Sequence, residues 1–277
     1  MKNIFNLLVI IVAAFAAAGQ IQSQTSTEKI NTGQYSLYNT TQVFIKSETV
    51  ADSFRILISV PDNYFNSDKR YPVIYVLDGD IAFGMMTSIA RYLQVGNNIP
   101  ELIIVGIGYG DSNKDKRGRD YSISKDGGAE SFINFLKNEL IPYIDAEYRT
   151  TPEDRTINGY SLGGTFAMFA LFSHPGTFNR YIIGSPYLPA GNFAINNHEE
   201  RAALKPDELN ANVFISVGSE EPDKKYFDPI DKMVTKIQSR NYPGLKLEAK
   251  VFDGGTHLIC PPEAIAYGLI SVFEKQP

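Results

Sequence analysis

Two short, wholly apolar segments constrain the fold of this 277-residue chain most. Residues 72–77 read PVIYVL and residues 102–107 read LIIVGI, and neither contains a charged side chain. Strands with this composition are typical of a parallel sheet that is covered by helices on both faces. The two segments therefore predict an α/β protein with a buried central sheet.

The rest of the chain alternates between the two patterns that such a protein needs. Residues 42–60 alternate apolar and polar side chains, which predicts antiparallel edge strands. Further strands are predicted at 155–158, 180–184, 213–218 and 247–252, and helices at 128–148, 165–173, 228–239 and 262–274. Pro142 is expected to bend or end the first of these helices. Because strand and helix alternate without a Pro-rich or Gly/Ser-rich linker, we predict a single domain over residues 25–277.

The first residues have the composition of an export signal. Lys2 precedes an apolar run over residues 4–17, and Ala16, Ala17 and Ala18 suit a signal peptidase. The run is shorter than the ~20 residues that a spanning helix needs. We therefore predict a signal peptide over residues 1–18, cleavage between residues 18 and 24, a periplasmic or secreted product, and no membrane span after cleavage.

Composition argues against several other classes of function. The net charge of −5 provides no basic field of the kind that attracts nucleic acid, so no nucleic-acid partner is expected. The single cysteine, Cys260, and three scattered histidines lack the spacing of a metal site. We therefore expect no metal, and we interpret Cys260 as a buried structural thiol.

A Gly-X-Ser-X-Gly motif lies between a predicted strand and a predicted helix. It comprises Gly159, Tyr160, Ser161, Leu162 and Gly163. In this context the serine occupies a strained turn at the carboxyl end of the sheet, and the glycines leave room for that turn. The motif predicts Ser161 as a nucleophile, and the backbone N–H of Leu162 as a donor to the oxyanion that forms during acyl transfer.

A nucleophilic serine requires a general base, and one histidine has the expected position. In this kind of sheet the base follows both the serine and the acid along the chain. His257 ends a glycine-rich loop directly after the last predicted strand, whereas His174 and His198 come before any plausible acid. His257 is therefore the predicted base.

The acid that orients this base should follow the strand at residues 213–218. We predict Glu221, three residues beyond Gly218. Glu220, Asp223 and Asp228 remain alternatives because the sequence places all of them in or just after the same loop.

Several segments together resemble a known family. They are YPVIYVLDG (71–79), RGRDY (117–121), ELIPYI (139–144), GYSLGG (159–164), SP (185–186) and GGTH (254–257). They are similar to the putative-esterase family of α/β-hydrolases, which includes siderophore esterases, S-formylglutathione hydrolases, feruloyl esterases and mycolyltransferases. The resemblance implies the α/β-hydrolase fold, serine ester hydrolysis without a cofactor, and a second oxyanion donor at the N–H of Asp80.

The resemblance also indicates candidate substrates. Siderophore esterases of this family cleave ester-linked catecholate iron chelators, and its carbohydrate esterases remove feruloyl or acetyl groups from polysaccharide. Arg117 and Arg119 are predicted to contact an anionic substrate, although Arg119 could instead pair with Asp120. Tyr187 is predicted to face an aryl group, and it stands where similar siderophore esterases tend to carry tryptophan, which this chain lacks.

Two alternatives to hydrolysis are compatible with these residues. The same triad could transfer the acyl group to a sugar or another alcohol, as in mycolyltransferases. A scaffold of this fold could also bind ligands without chemistry, although every triad position here carries a competent residue. The sequence does not indicate an oligomeric state.

Overall fold

A computed structural model describes residues 36–110 and 116–273 of the chain. The predicted signal peptide and its cleavage site lie outside the described residues. Leu37–Pro277 form one compact unit. None of the helices among the described residues is both long and apolar enough to cross a membrane.

The described chain forms one eight-stranded sheet. The strands are β1 (Thr40–Ser47), β2 (Asp52–Ser59), β3 (Tyr71–Val76), β4 (Ile103–Gly108), β5 (Thr150–Tyr160), β6 (Arg180–Gly184), β7 (Ala211–Gly218) and β8 (Leu245–Phe252). They lie in the order β1-β2-β4-β3-β5-β6-β7-β8. The pairs β1/β2 and β2/β4 are antiparallel, and every other neighbouring pair is parallel. This confirms the predicted α/β-hydrolase fold, with antiparallel strands at one edge.

Helices connect the strands. They are α1 (Gly79–Val95), α2 (Lys116–Asp120), α3 (Ala129–Phe135), α4 (Ile141–Glu147), α5 (Leu162–Ser173), α6 (Ala190–Phe193), α7 (Ile195–Ala202), α8 (Phe227–Arg240) and α9 (Pro261–Phe273). A π-helical turn, Leu136–Leu140, joins α3 to α4. Short 3₁₀ turns lie at Tyr64–Asn66 and Pro206–Glu208.

Strand β3 shows why the apolar segments predicted a doubly covered sheet. Ile74 and Val76 pack with Phe83 of α1 and Leu269 of α9 on one face. The alternate residues Val73 and Tyr75 belong to the larger cluster on the other face, which includes side chains of α3, α5 and α8. Because successive side chains of a strand point to opposite faces, a strand between two helical layers must be apolar throughout.

Pro142 does not end the helix that contains it. Helical structure continues from Ala129 to Glu147. The π turn ends at Leu140, and Pro142 is the second residue of α4. Proline lacks the N–H that an uninterrupted α-helix would use, and a π turn changes the hydrogen-bonding register locally. The predicted helix at 128–148 is therefore present, but it is divided into three helical segments.

A buried glutamate links α7 to the C-terminal part of α8 through hydrogen bonds and an ion pair. Glu199 is fully buried, and its carboxylate accepts hydrogen bonds from the Arg240 guanidinium at 3.0 Å and from the Tyr242 hydroxyl at 2.8 Å. Its other oxygen lies 2.7 Å from the Lys236 ammonium. Burial raises the pKa of Glu199, but the three hydrogen-bond donors outweigh burial and the net pKa is lowered.

We expect Glu199→Gln to lower the free energy of unfolding by about 1–3 kcal/mol, because it removes a buried charged acceptor from the buried Tyr242 hydroxyl and from two partly exposed cations. The matched control is Glu200→Gln, which removes an exposed carboxylate 3.2 Å from the same lysine and should change stability by less than about 0.5 kcal/mol. Since the folded-state pKa of Glu199 is lowered, its contribution is complete at neutral pH and is lost as pH falls below its ordinary value of 4.5. Urea unfolding at pH 7 and pH 4 should therefore show a smaller difference between wild type and Glu199→Gln at the lower pH.

Candidate active site

Ser161 occupies a sharp turn between β5 and α5. Its backbone has φ 56° and ψ −120°, a conformation that non-glycine residues rarely adopt. The turn is held because the Ser161 N–H donates to the Gly184 carbonyl at 2.9 Å and the Thr165 N–H donates to the Ser161 carbonyl at 3.0 Å. A Cβ atom on Gly159 would lie 2.2 Å from the Gly163 carbonyl oxygen, so this close approach requires glycine. Strain of this kind is common at functional residues.

His257 and Glu221 meet at the same edge of the sheet. Glu221 lies in the loop after β7, and His257 lies after β8, whose carboxyl end is adjacent. The His257 Nδ1 atom is 2.6 Å from Glu221 Oε2, and the Glu221 side chain is fully buried. The alternatives Glu220, Asp223 and Asp228 are exposed. The geometry thus pairs His257 with Glu221.

Two further donors fix the Glu221 carboxylate. Its Oε1 accepts hydrogen bonds from the Ser185 hydroxyl at 2.5 Å and from the Gly218 N–H at 3.0 Å. Burial raises the pKa of Glu221, but hydrogen bonds from His257, Ser185 and Gly218 outweigh it, and the net pKa is lowered. Glu221 is therefore ionised at neutral pH, which places the imidazole proton on Nδ1 and leaves Nε2 free to accept one.

Aromatic side chains surround His257. The Tyr226 ring centroid lies 4.4 Å from that of His257, the Tyr160 centroid lies 5.1 Å from it, and Tyr187 lies 5.6 Å from Tyr226. Burial raises the pKa of Tyr226, and the nearby Ser161 side chain lowers it by less, so the net pKa is raised. The sequence analysis predicted Tyr187 and quoted Ser185 within the SP segment without giving it a role, whereas Tyr226 lies in none of the quoted motifs.

The two predicted oxyanion donors lie at neighbouring helix starts. Leu162 begins α5, and Asp80 is the second residue of α1. The first N–H groups of a helix have no intrahelical acceptor, so both can donate to a ligand. The Asp80 carboxylate is engaged elsewhere: it accepts from the Tyr109 and Gly110 N–H groups at 2.6 and 3.1 Å. It also pairs with Arg55 at 2.6 Å.

The two predicted substrate-binding arginines both pair with carboxylates. Arg117 forms a bidentate pair with Asp78, at 2.7 and 3.0 Å, and a Cβ atom on Gly163 of the Ser161 turn would lie 3.2 Å from the Asp78 carboxylate. Arg119 pairs with Asp120 at 2.6 Å and with Asp52 at 2.8 Å. Arg117 is thus linked to the Ser161 turn through Asp78. Arg119 pairs with Asp120, as the alternative given in the sequence analysis expected. Substrate contact by either residue stays a prediction.

Cys260 and potential metal ligands can also be placed. Cys260 is buried, and Cβ atoms on Gly255 and Gly218 would approach its sulfur to 2.4 and 2.9 Å. Cys260 therefore fills space between two loops, as a structural thiol does. Over residues 36–110 and 116–273, no cluster of three or more His, Cys, Asp or Glu side chains could hold a metal ion.

Known proteins share this fold and sequence pattern. A family model described as "Putative esterase" matches residues 47–258. Ferri-bacillibactin esterase BesA of Bacillus subtilis is 26% identical over 277 residues, covering 89% of this chain and 94% of BesA. The crystal structure of the BES protein from Bacillus cereus superposes with a TM-score of 0.81 at 27% identity, covering 90% of this chain and all of that one. An IroE-like serine hydrolase from Shewanella oneidensis has a TM-score of 0.77 at 25% identity, covering 85% and 80% of the two chains.

Proposed function

The chain belongs to the putative-esterase family and is a serine esterase, and we propose that it acts through a triad of Ser161, His257 and Glu221. The observation that carries this proposal is the 2.6 Å hydrogen bond between His257 and the buried Glu221, at the same sheet edge as the strained Ser161 turn. A partly exposed serine, a buried carboxylate and an imidazole that bonds to it are the components of an acyl-transfer site.

The first chemical step is attack of the Ser161 oxygen on the ester carbonyl carbon. His257 Nε2 takes the serine proton, and the negative charge moves to the carbonyl oxygen, which the N–H groups of Leu162 and Asp80 stabilise. The C–O bond to the alcohol then breaks, and His257 returns its proton to the leaving oxygen. Water attacks the acyl-serine by the same route, which releases the acid and restores Ser161.

Glu221 acts by holding His257 rather than by accepting its proton. Its negative charge stabilises the imidazolium that forms in each step, and its hydrogen bond fixes the Nδ1–H tautomer. Ser185 and the Gly218 N–H hold the carboxylate in turn, so the acid is oriented before substrate binds.

The proposed substrate is a siderophore ester. This proposal is supported by the similarity to the Bacillus subtilis relative, which is a ferri-bacillibactin esterase. An aryl acyl group would pack against Tyr187 and Tyr226, because their rings form an aromatic wall beside His257. The same wall favours a second candidate, a feruloyl ester of a carbohydrate. Export, as predicted from the first residues, would suit either substrate.

The test of the proposed function is covalent labelling with a fluorophosphonate, which phosphonylates activated serines. One label per chain on the peptide that contains Ser161, together with loss of ester hydrolysis, is the expected result. The chain offers a matched second serine–histidine pair, Ser173 with His198 at 2.7 Å, which lacks the strained turn. Labelling of Ser173 instead of Ser161, or no labelling, would contradict the proposed nucleophile.

We expect Tyr226→Leu to lower the preference for aryl esters. The ratio of kcat/KM for a benzoyl ester to that for an acetyl ester should fall about tenfold, because an aromatic contact is replaced by an aliphatic one. Tyr226→Phe keeps the ring and should keep this ratio within about twofold. Initial rates on both esters measure it. Equal losses on the two esters would show that Tyr226 acts on the triad and does not contact the acyl group.

A further inference from the structure

A groove with cationic walls lies between α8 and the segment that follows β6. Its volume is about 330 Å³. The walls include Lys224, Lys232 and Lys236 from the residues in and just before α8, together with one carboxylate, Asp228. The floor is apolar and includes the buried side chains of Leu188 and Met233. The groove therefore combines positive charge with an apolar base.

Two of the three lysines are available to a ligand. Lys236 is held by Glu199 at 2.7 Å and by Glu200 at 3.2 Å. Lys224 and Lys232 are exposed, and among the described residues neither lies within ion-pair distance of a carboxylate. The two ammonium groups of Lys224 and Lys232 share the groove with one carboxylate, Asp228, in a chain whose net charge is −5, so this groove departs locally from the overall charge. Such a site favours an anion.

An exposed aromatic residue stands at the same groove in a strained conformation. Phe193 is 40% exposed and lines the groove. Its φ is 60°, which is an outlier for a bulky residue, and the two preceding residues, Gly191 and Asn192, also have positive φ. An aromatic side chain that stays exposed despite backbone strain indicates contact with a ligand rather than a role in the core.

The groove adjoins the catalytic residues. Leu188 on its floor follows Tyr187, whose N–H donates to the Ser161 carbonyl at 3.1 Å. Lys224 and Asp228 lie two residues to either side of Tyr226, whose ring contacts His257. Residues of the groove are therefore close in sequence to Tyr187 and Tyr226, whose rings lie 5.6 Å apart beside the proposed triad.

We propose that the groove is a second substrate subsite, which binds an anionic aromatic group of the ester substrate at a distance from the bond that Ser161 attacks. The lysines supply positive charge, and Phe193 supplies a ring face for the aromatic group. This inference rests on the proposed function, because it concerns the substrate of the same serine.

Binding in a Ser161→Ala background tests the groove separately from turnover. The probes are a trianionic ferric tris-catecholate triester and an uncharged ferric trihydroxamate of similar size, each titrated by calorimetry. Adding Lys224→Gln and Lys232→Gln should raise Kd for the catecholate about tenfold at low salt, with the effect fading in high salt. The Kd for the trihydroxamate should change less than about twofold. Adding Phe193→Ala instead should weaken catecholate binding about fivefold at every salt concentration, since aromatic contact is not screened.

The matched control is Lys46→Gln with Lys246→Gln in the same background. These exposed lysines on β1 and β8 produce the same change in net charge far apart on the sheet edges. Equal weakening by the control pair, equal weakening for both probes, or no catecholate binding at all would overturn the groove proposal. Failure of the triad would appear elsewhere, as ester hydrolysis that persists when Ser161 is replaced in otherwise unaltered protein.

Discussion

Replacing Ser161 with alanine should lower kcat for ester hydrolysis by at least about 10⁴-fold. The hydroxyl oxygen is the atom that bonds to the acyl group, so no neighbouring side chain substitutes for it without moving the turn. Since the turn is held by backbone contacts to Gly184 and Thr165, the fold and the melting temperature should stay close to those of wild type. Steady-state rates with an aryl acetate, together with thermal unfolding, measure both effects.

Ser173→Ala is the matched control for this substitution. Ser173 forms a 2.7 Å hydrogen bond with a histidine, His198, but it ends α5 far along the helix from the strained turn, and its backbone is helical. Its removal should leave kcat within about twofold of wild type. If Ser161→Ala retained hydrolysis and Ser173→Ala lost it, the motif would be structural and the Ser173–His198 pair would be the reactive one.

The fold could be predicted because its signals are local. Strand β3 lies between two helical layers, so the side chains on both of its faces have to be apolar. That requirement can be recognised from the six consecutive residues 72–77. The start of α5 was less visible. The predicted helix begins at Thr165, whereas the observed one begins at Leu162, because the low helix propensity of Gly163 and Gly164 hides the first turn. The tertiary contacts of the turn set that boundary.

Ser161 and His257 could be selected from the sequence for a similar reason, whereas the residues that contact Glu221 and His257 could not. Ser161 and His257 each lie in a glycine-rich segment, and such segments indicate a tight turn. Ser185 reaches Glu221 only because β6 and β7 are neighbours, and Tyr226 reaches His257 only because α8 begins beside the end of β8. Contacts between residues distant in sequence depend on strand order, which the sequence did not provide.

The charged side chains near Ser161 are paired by contacts that the sequence alone does not show. Asp78 and Asp80 lie beside the predicted oxyanion site, where unpaired carboxylates would oppose a developing negative charge. Arg117 neutralises Asp78 through a bidentate pair, and Arg55 together with two backbone N–H groups binds Asp80. Arg117, one of the two arginines predicted to contact substrate, thus offsets the negative charge of Asp78 beside the Ser161 turn, and Arg55 does the same for Asp80.

Glu221→Gln should lower kcat by about a thousandfold or more while leaving the fold intact. A glutamine nearly matches the carboxylate in shape, but its NH₂ group can donate to His257 Nδ1. That contact would favour the tautomer with its proton on Nε2, which cannot accept the proton of Ser161. The charge that stabilises the imidazolium is lost as well. Single-turnover rates with an aryl ester should therefore show slow acylation, with less change in KM.

The neighbouring carboxylates provide the controls that decide the assignment of the acid. Glu220→Gln alters the residue directly before Glu221, and Asp228→Asn alters the first turn of α8; both side chains are exposed. Because neither approaches His257 as Glu221 does at 2.6 Å, each variant should keep kcat for an aryl acetate, which lacks the anionic group proposed for the groove beside Asp228, within about threefold of wild type. A thousandfold loss in Asp228→Asn with an active Glu221→Gln would move the acid to α8. Such an outcome would require the loop after β7 to rearrange when substrate binds, and the Ser185–Glu221 hydrogen bond would then serve stability alone.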